Sequence, residues 1–248
     1  MIGAALIALL LGLAAGSFAT AVAHRVPRGI GVAFARSECP ACGAQIAARD
    51  NVPVLSWLLL GGRARCCGAR ISARYPLTEL ATGLLFVATV LVYRDDAAEA
   101  AIGLVFVTLL AIVTLTDLER RIIPNKVLIA GAVICLAIAA PTDPAGLPER
   151  AIAAVAAGGV FFLVALAYPA GMGLGDVKLA ATMGLFLGRA VGPAILAALL
   201  IGSAVGLALI ARHGAGARKM AIPFGPFLAL GGVIGLLAGN QLIDLYLG

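Results

Sequence analysis

Two aspartates carry the chemistry that this sequence makes available. Asp117 lies in Thr116-Asp117-Leu118-Glu119-Arg120-Arg121-Ile122-Ile123-Pro124-Asn125. Asp176 closes Gly171-Met172-Gly173-Leu174-Gly175-Asp176, ahead of Val177-Lys178-Leu179. They stand 59 positions apart, each at the edge of a long apolar run. Acidic groups near membrane depth are costly and usually functional. Two carboxyl groups that share a site cannot both ionise cheaply, so one keeps its proton. Such a pair can take a proton from water while giving one to a carbonyl oxygen. That is aspartic-protease chemistry. Taken singly, each residue has a plainer reading: Asp117 as a helix-end residue in a basic loop, Asp176 as an N-cap. The Gly-x-Gly-x-Gly-Asp run is not a nucleotide loop, because an apolar span rather than a strand precedes it. Gly171, Gly173 and Gly175 lack Cβ, so the backbone there can bend and let an extended substrate approach. The amides of a helix that begins just after Asp176 would face its carboxylate.

The elements that must position these acids are membrane helices. The chain has 248 residues, of which 62% are hydrophobic and only 12% charged, with a mean hydropathy of +1.08. A soluble domain carries about 25% charged residues. Apolar runs of bilayer-crossing length recur along the chain. The pattern predicts an all-α polytopic membrane protein with about eight transmembrane helices, over 2–23, 77–93, 98–116, 125–140, 151–169, 177–188, 191–211 and 222–246. It excludes a secreted disulfide scaffold, a coiled coil and a soluble Rossmann enzyme.

The net charge of +6 is not spread as a nucleic-acid footprint, so no nucleic-acid partner is expected. It sets topology instead. With the N-terminus outside, 15 of 18 Lys and Arg face the cytoplasm: Arg25, Arg28, Arg36, Arg49, Arg63, Arg65, Arg70, Arg74, Arg120, Arg121, Lys126, Lys178, Arg212, Arg218 and Lys219. Only Arg94, Arg150 and Arg189 fall outside, among Asp95, Asp96, Glu99, Asp143 and Glu149. This is the asymmetry of the positive-inside rule, and it puts both aspartates at the cytoplasmic face. The first span is expected to stay in place, because its basic residues follow the apolar run instead of preceding it.

Residues 24–76 form the one long polar segment, a small cytoplasmic domain between helices 1 and 2. Four of the five cysteines lie there, in Cys39-Pro40-Ala41-Cys42-Gly43 and Cys66-Cys67-Gly68. A cytoplasmic location disfavours disulfides and favours metal. The spacing is like that of a zinc ribbon, with zinc in a structural role. Cys39, Cys42, Cys66 and Cys67 are the candidate ligands. Adjacent cysteines do not readily bind one tetrahedral ion, so three sets stay open: three cysteines with another ligand, a strained four-cysteine site, or no metal. Cys135, in the fourth span, reads as a packing residue.

Gly-Leu-Gly-Asp followed by Lys178-Leu179, paired with Asp117 and Ile123-Pro124-Asn125, resembles the type IV prepilin peptidases, intramembrane aspartic proteases of the GxGD class. Gly16-Ser17-Phe18 with Arg25-Val26-Pro27, Asn51-Val52-Pro53-Val54-Leu55-Ser56-Trp57 and Tyr75-Pro76-Leu77-Thr78-Glu79 resemble further motifs of that family, in order. The resemblance implies Asp117 and Asp176 as catalytic residues, with Gly171, Gly173, Gly175, Lys178 and Pro124 in the active-site loops. It implies removal of basic leaders from prepilins and pseudopilins, typically between Gly and Phe, at the cytoplasmic face of a bacterial inner membrane. It also implies N-methylation of the new terminus from S-adenosylmethionine, for which Glu79 is a candidate residue beside its plainer reading as a partner of Arg70 or Arg74. Members of the family usually have two Cys-x-x-Cys pairs; here Ala64 stands where the third cysteine is expected, and Cys66 appears instead.

The expected organisation is a first transmembrane helix (1–23), a Cys-rich domain associated with methyl transfer (24–76) and a transmembrane peptidase domain (77–248). The bilayer and the leader peptides are the expected partners. The rival readings are a GxGD protease for other membrane substrates, a proton-coupled transporter and a non-enzymatic assembly module. Transporter acids usually lie near the midplane and in repeats.

Overall fold

The computed structural model describes residues 2–31, 37–169, 171–214 and 222–247. Arg36, Arg218 and Lys219 of the charge count lie outside them. Among the described residues the chain is helical, without strands, and it divides into two compact units, Met1–Arg94 and Asp95–Gly248.

The first unit holds α1 (Ile2–Arg25), the short α2 (Leu55–Leu59) and α3 (Arg74–Val92). Helices in lipid gain little from burying apolar surface against each other, so they associate through close packing at small residues. The α1–α3 contact follows that rule. A Cβ at Gly12 would lie 2.7 Å from the Gly83 Cα, and one at Gly16 would lie 2.6 Å from the Glu79 Cα. The sequence puts a boundary near residue 76; in the structure α3 starts at Arg74 and packs along α1.

The second unit holds α4 (Ala97–Arg120), α5 (Asn125–Thr142), α6 (Leu147–Ala167), α7 (Leu174–Leu187), α8 (Val191–His213) and α9 (Gly225–Leu247). Here α6 packs on α7, α8 on α9, and α4 on both α5 and α9. Gly231, Gly235 and Gly239 of α9 meet Ala198, Ala194 and Ala190, leaving no room for a Cβ. Phe106 of α4 stacks on Phe186 of α7 with ring centroids 4.9 Å apart, tying together the two helices that carry the aspartates.

The eight expected spans correspond to α1 and α3–α9. By length and apolarity alone seven runs qualify, because Leu174–His213 is a single run of 40 residues. As one straight helix it would measure about 60 Å, roughly twice the apolar thickness of a bilayer. Gly188, at φ +54°, breaks it. The short α7 is thereby separated from α8, and Asp176 sits in its first turn.

The break leaves carbonyls at the end of α7 without helical donors, and Arg150 supplies them. The sequence reading leaves Arg150 in an outer loop; in the structure it is buried in the first turns of α6. Its guanidinium donates to the carbonyls of Phe186 (2.9 Å) and Leu185 (3.4 Å) and pairs with Glu99 of α4. Glu149 accepts the Arg189 amide 3.0 Å away, closing the same turn. Arg150→Met is expected to destabilise the protein by on the order of 2–4 kcal/mol, since it strands a partly buried carboxylate. Thermal unfolding in detergent reads this directly. An unchanged midpoint would mean that the clamp is not structural.

Candidate active site and metal centre

Asp117 occupies the last turn of α4, one residue beyond the expected end of that span, and is 6% exposed. Its Oδ2 accepts the backbone N–H of Gly225, the first residue of α9, at 2.9 Å. Its own carbonyl accepts the amide of Arg121, which turns the chain out of the helix at φ +55°. The first amides of a helix lack intrahelical partners, and at α9 each is accounted for. Gly225 donates to Asp117, Pro226 has no N–H, and Phe227 and Leu228 both donate to the Phe224 carbonyl. A Cβ at Gly225 would lie 2.7 Å from the Asp117 Oδ2, so only glycine lets the positive end of α9 close on this carboxyl group.

Asp176 is half-buried in the first turn of α7. It is not the N-cap that its sequence context suggests. Gly173 takes that place, and Asp176 reaches back from the third helical position to accept the Gly173 amide at 3.3 Å. Asp117 and Asp176 are close enough for their charges to interact.

The flanking residues divide by role. Gly175 packs on Ile123: an added Cβ would lie 3.2 Å from the Ile123 Cβ, so the start of α7 rests on the loop that follows Asp117. The Lys178 ammonium donates to the Asn125 side chain at 3.1 Å, tying α7 to the start of α5. Pro124 is buried and is the N-cap residue of α5. None of Gly171, Gly173 and Gly175 has positive φ. At Gly175 the missing side chain provides room, not the sharp bend the sequence suggests; Gly171 faces the Tyr168 ring, and Gly173 keeps an ordinary extended conformation.

In the first unit the four candidate thiols converge, with all Sγ atoms within 4.8 Å of one another. Two similar turns bring them there. In one, the Gly43 amide donates to the Cys39 carbonyl at 2.8 Å and the Cys39 amide to Ala44. In the other, the Gly68 amide donates to the Ala64 carbonyl at 2.8 Å and the Ala64 amide to Ala69. Gly43 and Gly68 adopt φ +71° and +70°. Ala64 therefore occupies the place of Cys39, and Cys67 that of Cys42. The fourth sulfur comes from Cys66, whose Sγ lies 3.4 Å from that of Cys42. Adjacent cysteines do reach one cluster here. Backbone amides of Ala41 and Cys42 lower the Cys39 thiol to about 7, while its hydrogen bond to Cys42 and burial push the Cys66 thiol up to about 12. The donor set suits a soft, tetrahedral metal ion.

Glu79 is buried in α3 at 8% exposure, and the ion pairs among the described residues join it to neither Arg70 nor Arg74. Its Oε2 accepts the backbone amide of Val54 at 2.7 Å. Val54 sits at φ +59°, ψ −51°, the centre of a three-residue turn closed by the Leu55 amide on the Pro53 carbonyl. A β-branched residue pays about 1–3 kcal/mol to stand there. Ser56 closes the same loop, accepting from Val52 and donating to the Arg49 carbonyl, both at 3.0 Å. Trp57 donates to Ile71.

Residues 10–93 match the bacterial peptidase A24 N-terminal domain, and residues 104–211 match the type IV leader peptidase family. The chain is 34% identical to a prepilin leader peptidase/N-methyltransferase of Bacillus subtilis over 97% of both chains. It belongs to the type IV leader peptidase family. Enzymes of the same name from Aeromonas hydrophila (37% identity, covering 86% of this chain and 74% of the relative) and Stutzerimonas stutzeri (34%, covering 98% and 93%) are also similar to it. No solved structure matches the chain.

The sequence reading names both acids and the cysteine cluster but passes over Gly225. The signal was present, since Phe224-Gly225-Pro226 opens an apolar run with a glycine directly before a proline, a common helix start. What the run could not reveal was that the amide of this glycine meets an aspartate 108 positions earlier.

Proposed function

We propose that this chain removes the leader from type IV prepilins or pseudopilins and then methylates the new N-terminus, with Asp117 and Asp176 as the catalytic pair. The observation that carries this reading is that carboxyl groups from α4 and α7 lie close enough for their charges to interact, one held by a helix N-terminus and the other by the first turn of its own helix. In this reading one carboxylate takes a proton from water, whose oxygen attacks the scissile carbonyl carbon. The other carboxyl group protonates the carbonyl oxygen. Collapse then breaks the C–N bond, and the leaving amine takes up a proton. The charge asymmetry supports an N-terminus outside and an active site facing the cytoplasm of a bacterial inner membrane, where a basic leader would be met. The leader bond is taken to be Gly-Phe. Residues 77–248 are assigned to peptide cleavage, and the Cys-rich segment 24–76 to methyl transfer from S-adenosylmethionine. The four thiols are assigned to a structural zinc ion.

Purified protein in liposomes, given a prepilin and S-adenosylmethionine, is expected to release the leader and yield a methylated N-terminus. Asp117→Asn and Asp176→Asn are each expected to lower cleavage about 1,000-fold or more while staying folded. Normal cleavage by both would reject the catalytic assignment. An inert wild type on several prepilins would reject the substrate class.

Metal analysis is expected to find one zinc per chain. Cys66→Ala should lose it, and Ala64→Cys combined with Cys66→Ala should regain it by restoring a Cys-x-x-Cys pair in the second turn. Full zinc in Cys66→Ala would remove Cys66 from the ligand set.

A further inference from the structure

Both aspartates lie in the second unit, so the chemistry assigned to them leaves three motifs of the first unit without a role. These are Gly16-Ser17, Asn51–Trp57 and Tyr75–Glu79, and they meet at one point. Gly16 lets the α1 backbone touch α3 at Glu79, and the Glu79 carboxylate holds the amide of Val54. The loop is not built to fill a core, because Asn51 and Val52 at its start are exposed. Nor is its conformation one that the sequence prefers. A valine at φ +59° is strained, and strain of this kind persists only where its surroundings enforce it, most often at functional sites. A buried carboxylate near a membrane edge is itself costly and is usually retained for a purpose. Here it accepts the backbone amide of the strained residue.

Resting on the methyl-transfer half of the proposed function, we infer that the Asn51–Val54 turn is the surface on which methyl transfer takes place and that Glu79 is its positioning residue. The exposed Asn51 side-chain oxygen can accept a hydrogen bond from an N-terminal ammonium, and its dipole favours a sulfonium cation nearby. In the step served by this surface, the amine of the cleaved chain gains the methyl carbon. The sulfur–methyl bond breaks with its electron pair remaining on sulfur, and the surplus amine proton passes to water. Glu79 acts through the backbone: it keeps Val54 in a conformation that valine would otherwise leave.

The test uses full-length protein with a prepilin and isotopically labelled methyl donor, reading cleavage and methylation separately, together with hydrogen exchange over residues 51–57. Glu79→Ala is expected to lose methylation by about 100-fold, the scale of a small misplacement, and to exchange faster in the loop, with cleavage retained. Adding Val54→Gly, which accepts positive φ without help, is expected to recover most of the methylation. Four results would overturn the inference: methylation by Glu79→Ala at the wild-type level, a parallel loss of cleavage, unchanged exchange in the loop, or no recovery in the double variant. A wild type that cleaves without methylating would instead overturn the methyl-transfer reading itself, and the inference with it.

Discussion

The second unit is organised around one hydrogen bond, from the first amide of α9 to the carboxyl group of Asp117. A carboxyl group buried at the end of a membrane helix needs a donor, and a helix N-terminus offers amides that need acceptors. Each satisfies the other. The fit requires that residue 225 have no side chain, that Pro226 remove one amide and that Phe224 take up the next two. From there the packing spreads outward. α9 lies against α8 through a row of glycines, α4 joins α7 through Phe106 and Phe186, and Arg150 ties off the far end of α7. The short α7 is held at both ends, by Arg150 at its C-terminus and by Gly175 on Ile123 and Lys178 on Asn125 at its N-terminus. Asp176 sits in the turn that those contacts fix.

The first unit solves a different problem. Its polar segment is too small to hold itself together by apolar burial alone, and two turns that share a hydrogen-bond pattern gather four sulfurs in place of a core. The exchange of positions between Ala64 and Cys66 shows how tolerant that arrangement is. The turn shape is kept by the backbone and by glycines at positive φ, while the sulfur is delivered from the neighbouring residue.

Much of this could be read in the sequence, for physical reasons. Apolar runs of bilayer length mark helices from the sequence, and the eight expected spans separate 177–188 from 191–211, where the structure breaks the run Leu174–His213 at Gly188. The acids were legible because charge at membrane depth is rare. The cysteines were legible because their spacing is short-range. What escaped depends on contacts between distant segments. Gly225 matters through Asp117, Arg150 through carbonyls 35 and 36 residues later, and the partner of Glu79 is the amide of Val54, 25 residues earlier. The helix starts at Leu174, ahead of the expected 177, because Asp176 can satisfy an N-terminal amide from inside the first turn as well as from the cap.

The most direct measurement is leader cleavage by Gly225→Ala in liposomes, alongside its helix content and thermal stability. The substitution leaves both aspartates in the chain and adds one methyl group where the Asp117 carboxylate lies. If the α9 amide sets the geometry of the proposed catalytic pair, the folded variant cleaves at least about 100-fold more slowly than the wild type. Wild-type cleavage by folded Gly225→Ala would contradict the account.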